Sequence, residues 1–206
     1  MSYFLPMQVR KRTITGEARR AQIIAATIET LGRLGYGQTS FAKIAERAGL
    51  SSTRLISYHF AGKDELMAAV VAHVHEKVGR FMHERVSAQP DARSRLRAYI
   101  GGLTEFHAAH RDEMEALLTI FLSHPGEAGS YGPEEETRTL SHLERILRDG
   151  QERGEFRPFD PFVMAATIQR SLDGLPFLLR AKPDLDLEHT ARELETMFDL
   201  ATRAGP

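Results

Sequence analysis

Apolar residues recur three and four positions apart along almost all of the 206-residue chain. This is the spacing of one face of an α-helix, and no segment shows the strict apolar and polar alternation of a half-buried β-strand. Short segments rich in Gly or Pro separate the apolar stretches, as expected between helices. The pattern predicts an all-α fold of about nine helices.

Glycines, prolines and capping residues predict where these helices begin and end. The helices are expected at about 17–34, 41–48, 51–59, 63–86, 91–110, 111–122, 133–154, 160–179 and 187–202. In the eighth of them, Gly174 and Pro176 should kink or interrupt the helix, because proline removes a backbone donor. Residues 123–132 are expected to form a mobile loop.

Charge is distributed unevenly along the chain. Residues 1–63 contain ten Lys and Arg and three acids, a net charge of +7, whereas the remainder carries −8. A basic module on an acidic body suits a polyanion bound at one end, because phosphate contacts release counterions. A solvated basic surface explains the same excess equally well, so charge alone leaves nucleic-acid binding open.

The chain contains no cysteine, which excludes disulfides, thiolate metal sites and a cysteine nucleophile. Its first residues lack the basic flank and long apolar stretch of a signal peptide. No apolar run approaches the ~18 residues of a membrane span. We therefore expect a cytoplasmic protein that does not enter a membrane.

Two short helices joined by a glycine-containing turn follow a longer helix, which is the plan of a helix-turn-helix. Such a pair also occurs in helical bundles that bind no DNA. The second short helix carries hydroxyls, an arginine and a phenol, which can reach base edges and phosphates. Residues 40–59 are therefore the predicted helix-turn-helix.

The residues around this segment form a specific set. They are Gly35-Tyr36-Gly37-Gln38-Thr39-Ser40-Phe41, Ile44-Ala45, Ala48-Gly49-Leu50-Ser51, and Tyr58-His59-Phe60 with Lys63 and Leu66. Together they resemble the TetR family of transcriptional regulators, strongly over about 17–77 and loosely again at 154–158. The chain departs from the usual pattern between Gly49 and Phe60, where it is one residue longer, lacks a glycine after the serine, and has Ser57 where an aromatic is common.

The resemblance implies three regions, a flexible basic arm at 1–16, a DNA-binding domain at 17–77, and an effector-binding and dimerisation domain at 78–206. It implies a repressor that binds a palindromic operator on double-stranded DNA as a homodimer and is released by a small-molecule effector. We expect the dimer interface on the last two helices, 162–179 and 187–202, because no other element is left to cover their apolar stripes.

The candidate DNA contacts carry hydroxyl, phenol, imidazole or cationic groups. They are Thr39, Ser40, Ser51, Ser52, Thr53, Arg54, Ser57, Tyr58, His59 and Lys63. Arg54 is expected to bond a guanine bidentately, and Lys63 to contact a phosphate at a helix start. The structural alternatives are that Thr39 and Ser40 only cap a helix and that Tyr58 packs in the core.

The resemblance also implies an effector pocket among the later helices. The candidate lining residues are Tyr99, Leu103, Phe106, His107, His110, Met114, Leu117, Phe121, Met164, Ile168 and Phe177. Their apolar and aromatic character favours a lipophilic effector. The alternative for each position is an ordinary core residue, because core residues show the same helical spacing.

Three other functions were weighed against DNA binding. His107 and His110 share a helical face, but no carboxylate cluster or His-Glu-x-x-His motif accompanies them, so no metal is expected. An all-helical enzyme would need a nucleophile motif or a phosphate-cradling glycine loop, and neither is present. A helical interaction module would not need the basic N-terminal segment. We therefore expect no catalytic residue and no cofactor.

Overall fold

The computed structural model describes residues 14–123 and 133–205, which fold into ten α-helices. The helices are α1 (Ile14–Gln38), α2 (Phe41–Arg47), α3 (Arg54–His59), α4 (Lys63–Ser87), α5 (Ala92–Ala109), α6 (Arg111–Ser123), α7 (Pro133–Glu152), α8 (Pro161–Asp173), α9 (Leu175–Ala181) and α10 (Leu187–Thr202). The predicted all-α class is confirmed. Most of the predicted basic arm and of the predicted loop at 123–132 lies outside the described residues.

The chain has one helix more than expected because the predicted interruption divides the eighth predicted helix. α8 ends at Asp173, and α9 begins at Leu175 with Pro176 in its first turn. A proline is tolerated there because the first N–H groups of a helix have no intrahelical acceptor. None of the described helices is both long and apolar enough to span a membrane.

The predicted stop after the first helix is a break in the backbone at Gly35. Its φ of 71° and ψ of 172° are not helical, so the last residues assigned to α1 form a separate turn. A left-handed φ of this kind strains residues that have a Cβ, which explains the glycine. The break turns the chain from α1 towards α2.

Aspartates begin three of the later helices. The carboxylate of Asp91 accepts a hydrogen bond from Ser94 N (2.7 Å), that of Asp160 from Phe162 N (2.9 Å), and that of Asp186 from His189 N (2.9 Å). These bonds satisfy backbone donors that have no intrahelical acceptor. The starts predicted at Asp91 and Asp160 are confirmed.

The buried apolar residues form two clusters. The N-terminal core joins α1, α2, α3 and the first half of α4 to α6. Its larger members include Ile23, Leu31, Ile44, Ile56, Phe60, Leu66, Met67, Val70 and Ile120. The C-terminal core joins the second half of α4 to α5 and α7–α10. Its larger members include Met82, Leu96, Ile100, Leu143, Leu147, Phe156, Ile168, Leu172 and Phe198. α4 therefore runs through both cores, and α6 belongs mainly to the first.

The family-like stretch at 154–158 places Phe156 in the C-terminal core. Gly150 faces the ring so closely that an added Cβ would lie 2.1 Å from Phe156 Cδ2. The next residue, Arg157, donates its backbone N–H to Thr202 O (2.9 Å). The segment therefore fastens the end of α7 to the end of α10.

Part of the apolar stripe of α10 is buried within the same chain. From the sequence we expected that no element of the chain would cover it. Leu187 and Phe198 are buried in the C-terminal core, and α10 packs along α5 of the same chain. That expectation, from which a dimer interface on the last two helices was inferred, was wrong because α5 of the same chain covers part of this stripe. The interface on the last two helices itself stays a prediction. The large apolar residues that α10 exposes are instead Met197 (58% exposed) and Leu200 (55%).

Candidate nucleic-acid interface and effector site

Side-chain hydrogen bonds and one glycine define the start of α2 and the turn that joins it to α3. Ser40 Oγ accepts a hydrogen bond from Lys43 N (3.4 Å) and begins α2, as predicted. Gly49, with a φ of 64°, reverses the chain after that helix. Ser52 Oγ then accepts a bond from Arg54 N (3.0 Å) immediately before α3.

α3 separates its apolar and polar residues cleanly. Ile56 is fully buried in the N-terminal core, and Phe60 follows it there. Tyr58 is 66% exposed, which rules out the alternative that its ring packs in the core. The other candidate contacts at 51–54 and Ser57 are exposed as well, and His59 is half-buried. The structure therefore brings seven predicted residues, 51–54 and 57–59, to a polar surface around α3, and Ser40 is exposed at the start of α2.

Arg54 is the cation that this surface leaves unengaged. Among the described residues, none forms an ion pair or a hydrogen bond with its guanidinium. Lys43 pairs with Glu46 (3.1 Å) and Arg47 with Glu29 (3.8 Å), so their charges are partly balanced inside the module. Of these three cations, Arg54 is the one best placed to take up an external acceptor.

Arg20 is a residue of this region that sequence reasoning missed. Its Nη1 donates to His59 O at the end of α3 (2.9 Å), and its guanidinium carbon lies 4.1 Å from the centre of the Phe60 ring. Glu65 Oε1 lies 3.9 Å from the same Nη1. These contacts hold the last turn of α3 against α1. No spacing rule pairs two residues this far apart, so the sequence carried no signal for them.

Two candidate contacts have structural roles in the DNA-free chain. Lys63 Nζ donates to Tyr36 O (2.7 Å) and lies 3.9 Å from the centre of the Tyr36 ring. Partial burial lowers the pKa of Lys63 below its ordinary value. Thr39 is 2% exposed, and its hydroxyl donates to Gly35 O (2.7 Å). Both residues thereby tie the turn after α1 in place.

The candidate effector residues are not all in one place. Tyr99, Leu103, Met164 and Ile168 meet in the C-terminal core, whereas Met114 and Leu117 pack on the N-terminal core. Phe106 is fully buried and stacks edge-on with Phe81 of α4, with ring centres 5.3 Å apart. Phe121 (53% exposed) and Phe177 (47%) face outward. The structure therefore does not bring those two together with the rest.

Two polar groups inside the C-terminal core satisfy each other. Tyr99 Oη donates to Gln169 Oε1 (2.7 Å), and Gln169 Nε2 donates to Asp173 Oδ1 (2.8 Å). Gln169 was missed by sequence reasoning because an amide between apolar helix positions looks like an exposed residue. The chain of bonds links α5 to the end of α8.

His107 differs from these residues in having a buried nitrogen without a partner. The residue is 2% exposed, and no described atom lies within hydrogen-bonding distance of its Nδ1. Burial lowers the pKa of His107 to about 4, because a charged imidazole would lose its hydration. The ring is therefore neutral near pH 7.

His110 serves instead as part of a polar cluster between α4 and the corner where α5 meets α6. Lys77 Nζ donates to Glu113 Oε1 (2.7 Å) and lies 3.1 Å from His110 Nδ1. His110 also stacks on Phe106, with ring centres 4.3 Å apart. Over the ranges that the structure covers, no three His, Asp or Glu residues converge in a way that could hold a metal ion.

A cleft of about 210 Å³ lies between α6 and α9. Its residues are Arg111, Asp112, Met114, Glu115, Pro176, Leu179 and Arg180. Arg180 Nη2 pairs with Glu115 Oε1 across it (2.6 Å) and donates to Thr119 Oγ1 (3.1 Å). The cleft therefore opens beside a polar bridge between the two helices.

Comparison with known proteins identifies the class to which this architecture belongs. A protein-family model described as bacterial regulatory proteins of the tetR family matches residues 23–70. A second family model, described as a Tetracyclin repressor-like C-terminal domain, matches residues 89–177. The HTH-type transcriptional regulator BetI of Burkholderia lata is 41% identical over 85 residues, which are 41% of this chain and 43% of the relative. The chain thus matches less than half the length of that relative.

Solved structures show the same fold over nearly the whole chain. A protein of Pseudomonas aeruginosa PAO1 assigned as a transcriptional regulator has a TM-score of 0.76 at 27% identity, covering 95% of this chain and 96% of that one. AibR in complex with isovaleryl coenzyme A and operator DNA has a TM-score of 0.73 at 20% identity, covering 87% and 97%. The chain belongs to the TetR family of transcriptional regulators.

Proposed function

We propose that the protein is a one-component repressor that binds a palindromic operator as a homodimer and is released by a small-molecule effector. The observation that carries the proposal is the polar surface of α3, on which Arg54 has no partner among the described residues. A short helix that buries Ile56 and exposes hydroxyls, a phenol and a guanidinium suits the major groove.

The proposed DNA contacts divide into reading and anchoring. Arg54 reads a base, because a guanidinium can bond guanine O6 and N7 together. Tyr58 and Ser40 contact phosphates beside it. Lys63 contacts a further phosphate, since an ammonium that donates to Tyr36 O keeps two other N–H donors. Thr39 supports this anchor by holding the turn that carries Tyr36.

The proposed dimer uses the apolar residues that α8, α9 and α10 expose. They are Phe162, Val163, Phe177, Leu178, Met197 and Leu200, each about half exposed. Exposed apolar residues this numerous on neighbouring elements are typical of an interface rather than of a free surface. A second copy of the chain suits them, because a two-fold interface pairs the same surface with itself.

The proposed release acts through the two helices that link the cores. α4 begins beside α3 and ends in the C-terminal core, and α6 packs on α1. The two copies of α3 must enter successive major grooves ~34 Å apart. A small tilt of α4 or α6 would spoil this fit, at a coupling of about 1–3 kcal/mol. AibR, whose fold is similar, was solved with both a ligand and operator DNA.

Selection of a binding site from random DNA, followed by mobility shifts, tests the proposal. We expect a palindromic sequence that is bound at least ~10³-fold more tightly than scrambled DNA of the same length. A screen of small molecules should then find one that releases the complex. Equal affinity for selected and scrambled DNA would overturn the proposal. If saturating effector left affinity unchanged, a constitutive regulator would replace the released repressor.

Light scattering tests the dimer separately. Met197→Glu and Leu200→Glu should each give a monomer and weaken operator binding, because they bury a charge in the proposed interface. Ser141→Glu adds the same charge to an exposed position of α7, a helix that contributes none of these apolar residues, and serves as the control. A dimer that survives both apolar substitutions would place the interface elsewhere.

A further inference from the structure

We propose that His107 is the polar anchor of the effector site, and that the effector is an apolar molecule that offers His107 a single uncharged hydrogen-bonding group, a hydroxyl or a carbonyl. The inference rests on the proposed function only in assuming that the C-terminal domain binds an effector. It adds the chemical class of that effector and the residue that recognises it.

The position of His107 places its ring at the end of an apolar stripe. Leu96, Ile100 and Leu103 line the face of α5 that enters the C-terminal core, and His107 follows Leu103 after four residues and Ile100 after seven. Residues at these intervals share a helix face. His107 therefore extends the stripe to the last turn of α5, where a leucine would complete it.

The unpaired Nδ1 means that a histidine at this position costs stability compared with an apolar residue. A buried polar group without a partner costs stability relative to a paired one, and such groups are rare in native proteins. Tyr99 and Gln169 in the same core show how the chain pairs its other buried polar groups. A ligand that bonds His107 would recover what the free chain loses.

The surroundings of His107 select an uncharged ligand. Leu96, Ile100 and Leu103, which precede His107 on the same face of α5, carry no charge that could balance a carboxylate or an ammonium. Lys77 and Glu113 near the corner of α5 and α6 already pair with each other (2.7 Å). Because burial keeps the imidazole neutral, it offers one donor and one acceptor and no countercharge. A charged head group would be buried without a partner, at a large cost.

The proposed route to this position starts at the cleft between α6 and α9, whose lining includes the charged Arg111, Asp112, Glu115 and Arg180 but not His107. The cleft opens at Arg111, just beyond the last turn of α5, and Met114, Pro176 and Leu179 give it apolar walls. Its volume of about 210 Å³ is below the ~300–1,000 Å³ of most ligand sites, so a ligand must part the two helices as it enters. Parting them would move α6, which packs on α1.

A series of ten-carbon probes that differ only in the head group tests the ligand class on the full-length protein. The probes are decanol, methyl decanoate, decanoate and decylamine, and binding is read from the shift in thermal midpoint and from titration calorimetry. We expect decanol and methyl decanoate to bind and raise the midpoint, and decanoate and decylamine to bind at least about tenfold more weakly. Tighter binding of either charged probe would overturn the assignment.

The variant His107→Leu tests the residue. It should bind decanol about tenfold more weakly than the natural chain, the loss expected for one hydrogen bond. It should also raise the midpoint of the ligand-free protein by about 2–4 °C, because a leucine removes the unpaired nitrogen. His73→Leu, on the half-buried side of α4, should change neither quantity.

Two results would overturn the role of His107. One is equal affinity of His107→Leu and the natural chain for decanol. The other is a lower midpoint of the ligand-free variant, which would mean that the imidazole stabilises the fold. The proposed function fails by a different measurement. A chain that binds no operator would refute the repressor, while the probe measurements would still test whether His107 binds a ligand.

Discussion

The two cores of the molecule treat their buried polar groups differently. In and around the N-terminal core, the hydroxyls of Thr27, Thr30 and Thr39 each donate to a backbone carbonyl four residues earlier, at 2.6–2.7 Å. In the C-terminal domain, Thr104 and Thr202 make the same local bonds (2.9 and 2.7 Å), but Tyr99 and Gln169 bond each other across two helices, and His107 Nδ1 has no described partner. A hydroxyl that bonds a carbonyl of its own helix keeps that bond when a ligand enters. A side-chain bond between two helices can be replaced by a bond to the ligand.

The surface around α3 is therefore already in place before it binds, whereas the C-terminal core keeps polar groups that can exchange partners. Hydrogen bonds within the chain hold the surface around α3 through Arg20 and Ser52, and the turn after α1 through Lys63. A surface prepared in this way loses little conformational freedom on binding. The C-terminal core keeps groups that a ligand can engage. The following substitutions probe that contrast, beginning with the largest expected effect.

Truncating the C-terminal core should cost stability without altering the DNA surface. Phe156→Ala removes a ring that is 3% exposed and should lower the free energy of unfolding by about 3–5 kcal/mol in urea titrations. Operator affinity at a temperature where the variant is folded should stay unchanged. Phe159→Ala, at a half-buried neighbour, should cost less. A large loss of DNA affinity in folded Phe156→Ala would mean that the two ends are not independent.

Removing the unengaged guanidinium should affect the reading of DNA alone. Arg54→Ala should cost about 1–3 kcal/mol on the selected operator and relax preference at one position in each half-site. Its stability should match that of the natural chain, because no described residue pairs with Arg54. Binding titrations on single-base operator variants measure both effects. Unchanged preference at every position would move base reading away from Arg54.

Loosening α3 should weaken DNA binding from outside the interface. Arg20→Met keeps an apolar stem on Phe60 but removes the bond to His59 O, and should weaken operator binding by about 1–2 kcal/mol. Faster amide exchange at the end of α3 would accompany it. Arg19→Met is the control, because Arg19 bonds Gln22 on the surface. Unaltered exchange together with weaker binding would instead indicate a direct DNA contact by Arg20.

Lys63→Ala should weaken binding to selected and scrambled DNA nearly alike. The dependence of the logarithm of affinity on the logarithm of salt concentration should fall by about 1, as for one lost phosphate contact. Lys43→Ala, which removes a cation paired with Glu46, provides the comparison. An unchanged salt dependence would leave Lys63 with only its bond to Tyr36 O.

The smallest effect is expected from the polar cluster at the corner of α5 and α6. Burial raises the pKa of Glu113 more than any single contact lowers it, but the hydrogen bond from Lys77, a backbone hydrogen bond and the nearby charges of Lys77 and His110 together hold the pKa below its ordinary value. A lowered pKa means stability that is present above the unfolded value of about 4.3 and lost as the pH falls through the folded value. Glu113→Gln should flatten the pH dependence in this window, by less than about 1 kcal/mol. If Glu113→Gln left the pH dependence of stability unchanged, the hydrogen bond between Lys77 and Glu113 would not contribute to stability.

The helix boundaries were predictable because their signals are local. Ser40 and Asp91 cap helices within three residues of themselves, Ser52 bonds the first N–H of α3, Gly35 breaks α1 by its own backbone, and Pro176 lies in the first turn of α9. Contacts between distant residues gave no such signal. Arg20 with His59 and Tyr99 with Gln169 meet only because helices pack, and the cover that α5 gives to α10 could not be read from periodicity. Periodicity shows that a face is buried but not by which element.

The packing of α6 against α1 has a consequence for how such a chain can be divided or recombined. Ala116 and Ile120 fill space in the N-terminal core although they lie about forty residues beyond the end of the DNA-binding segment at 17–77. A fragment cut at that point would leave Ile23 and its neighbours facing solvent on the side that α6 covers. A chimera that grafts this DNA-binding segment onto a foreign sensor must therefore bring a matching sixth helix, and evolution of new pairings within the family faces the same constraint.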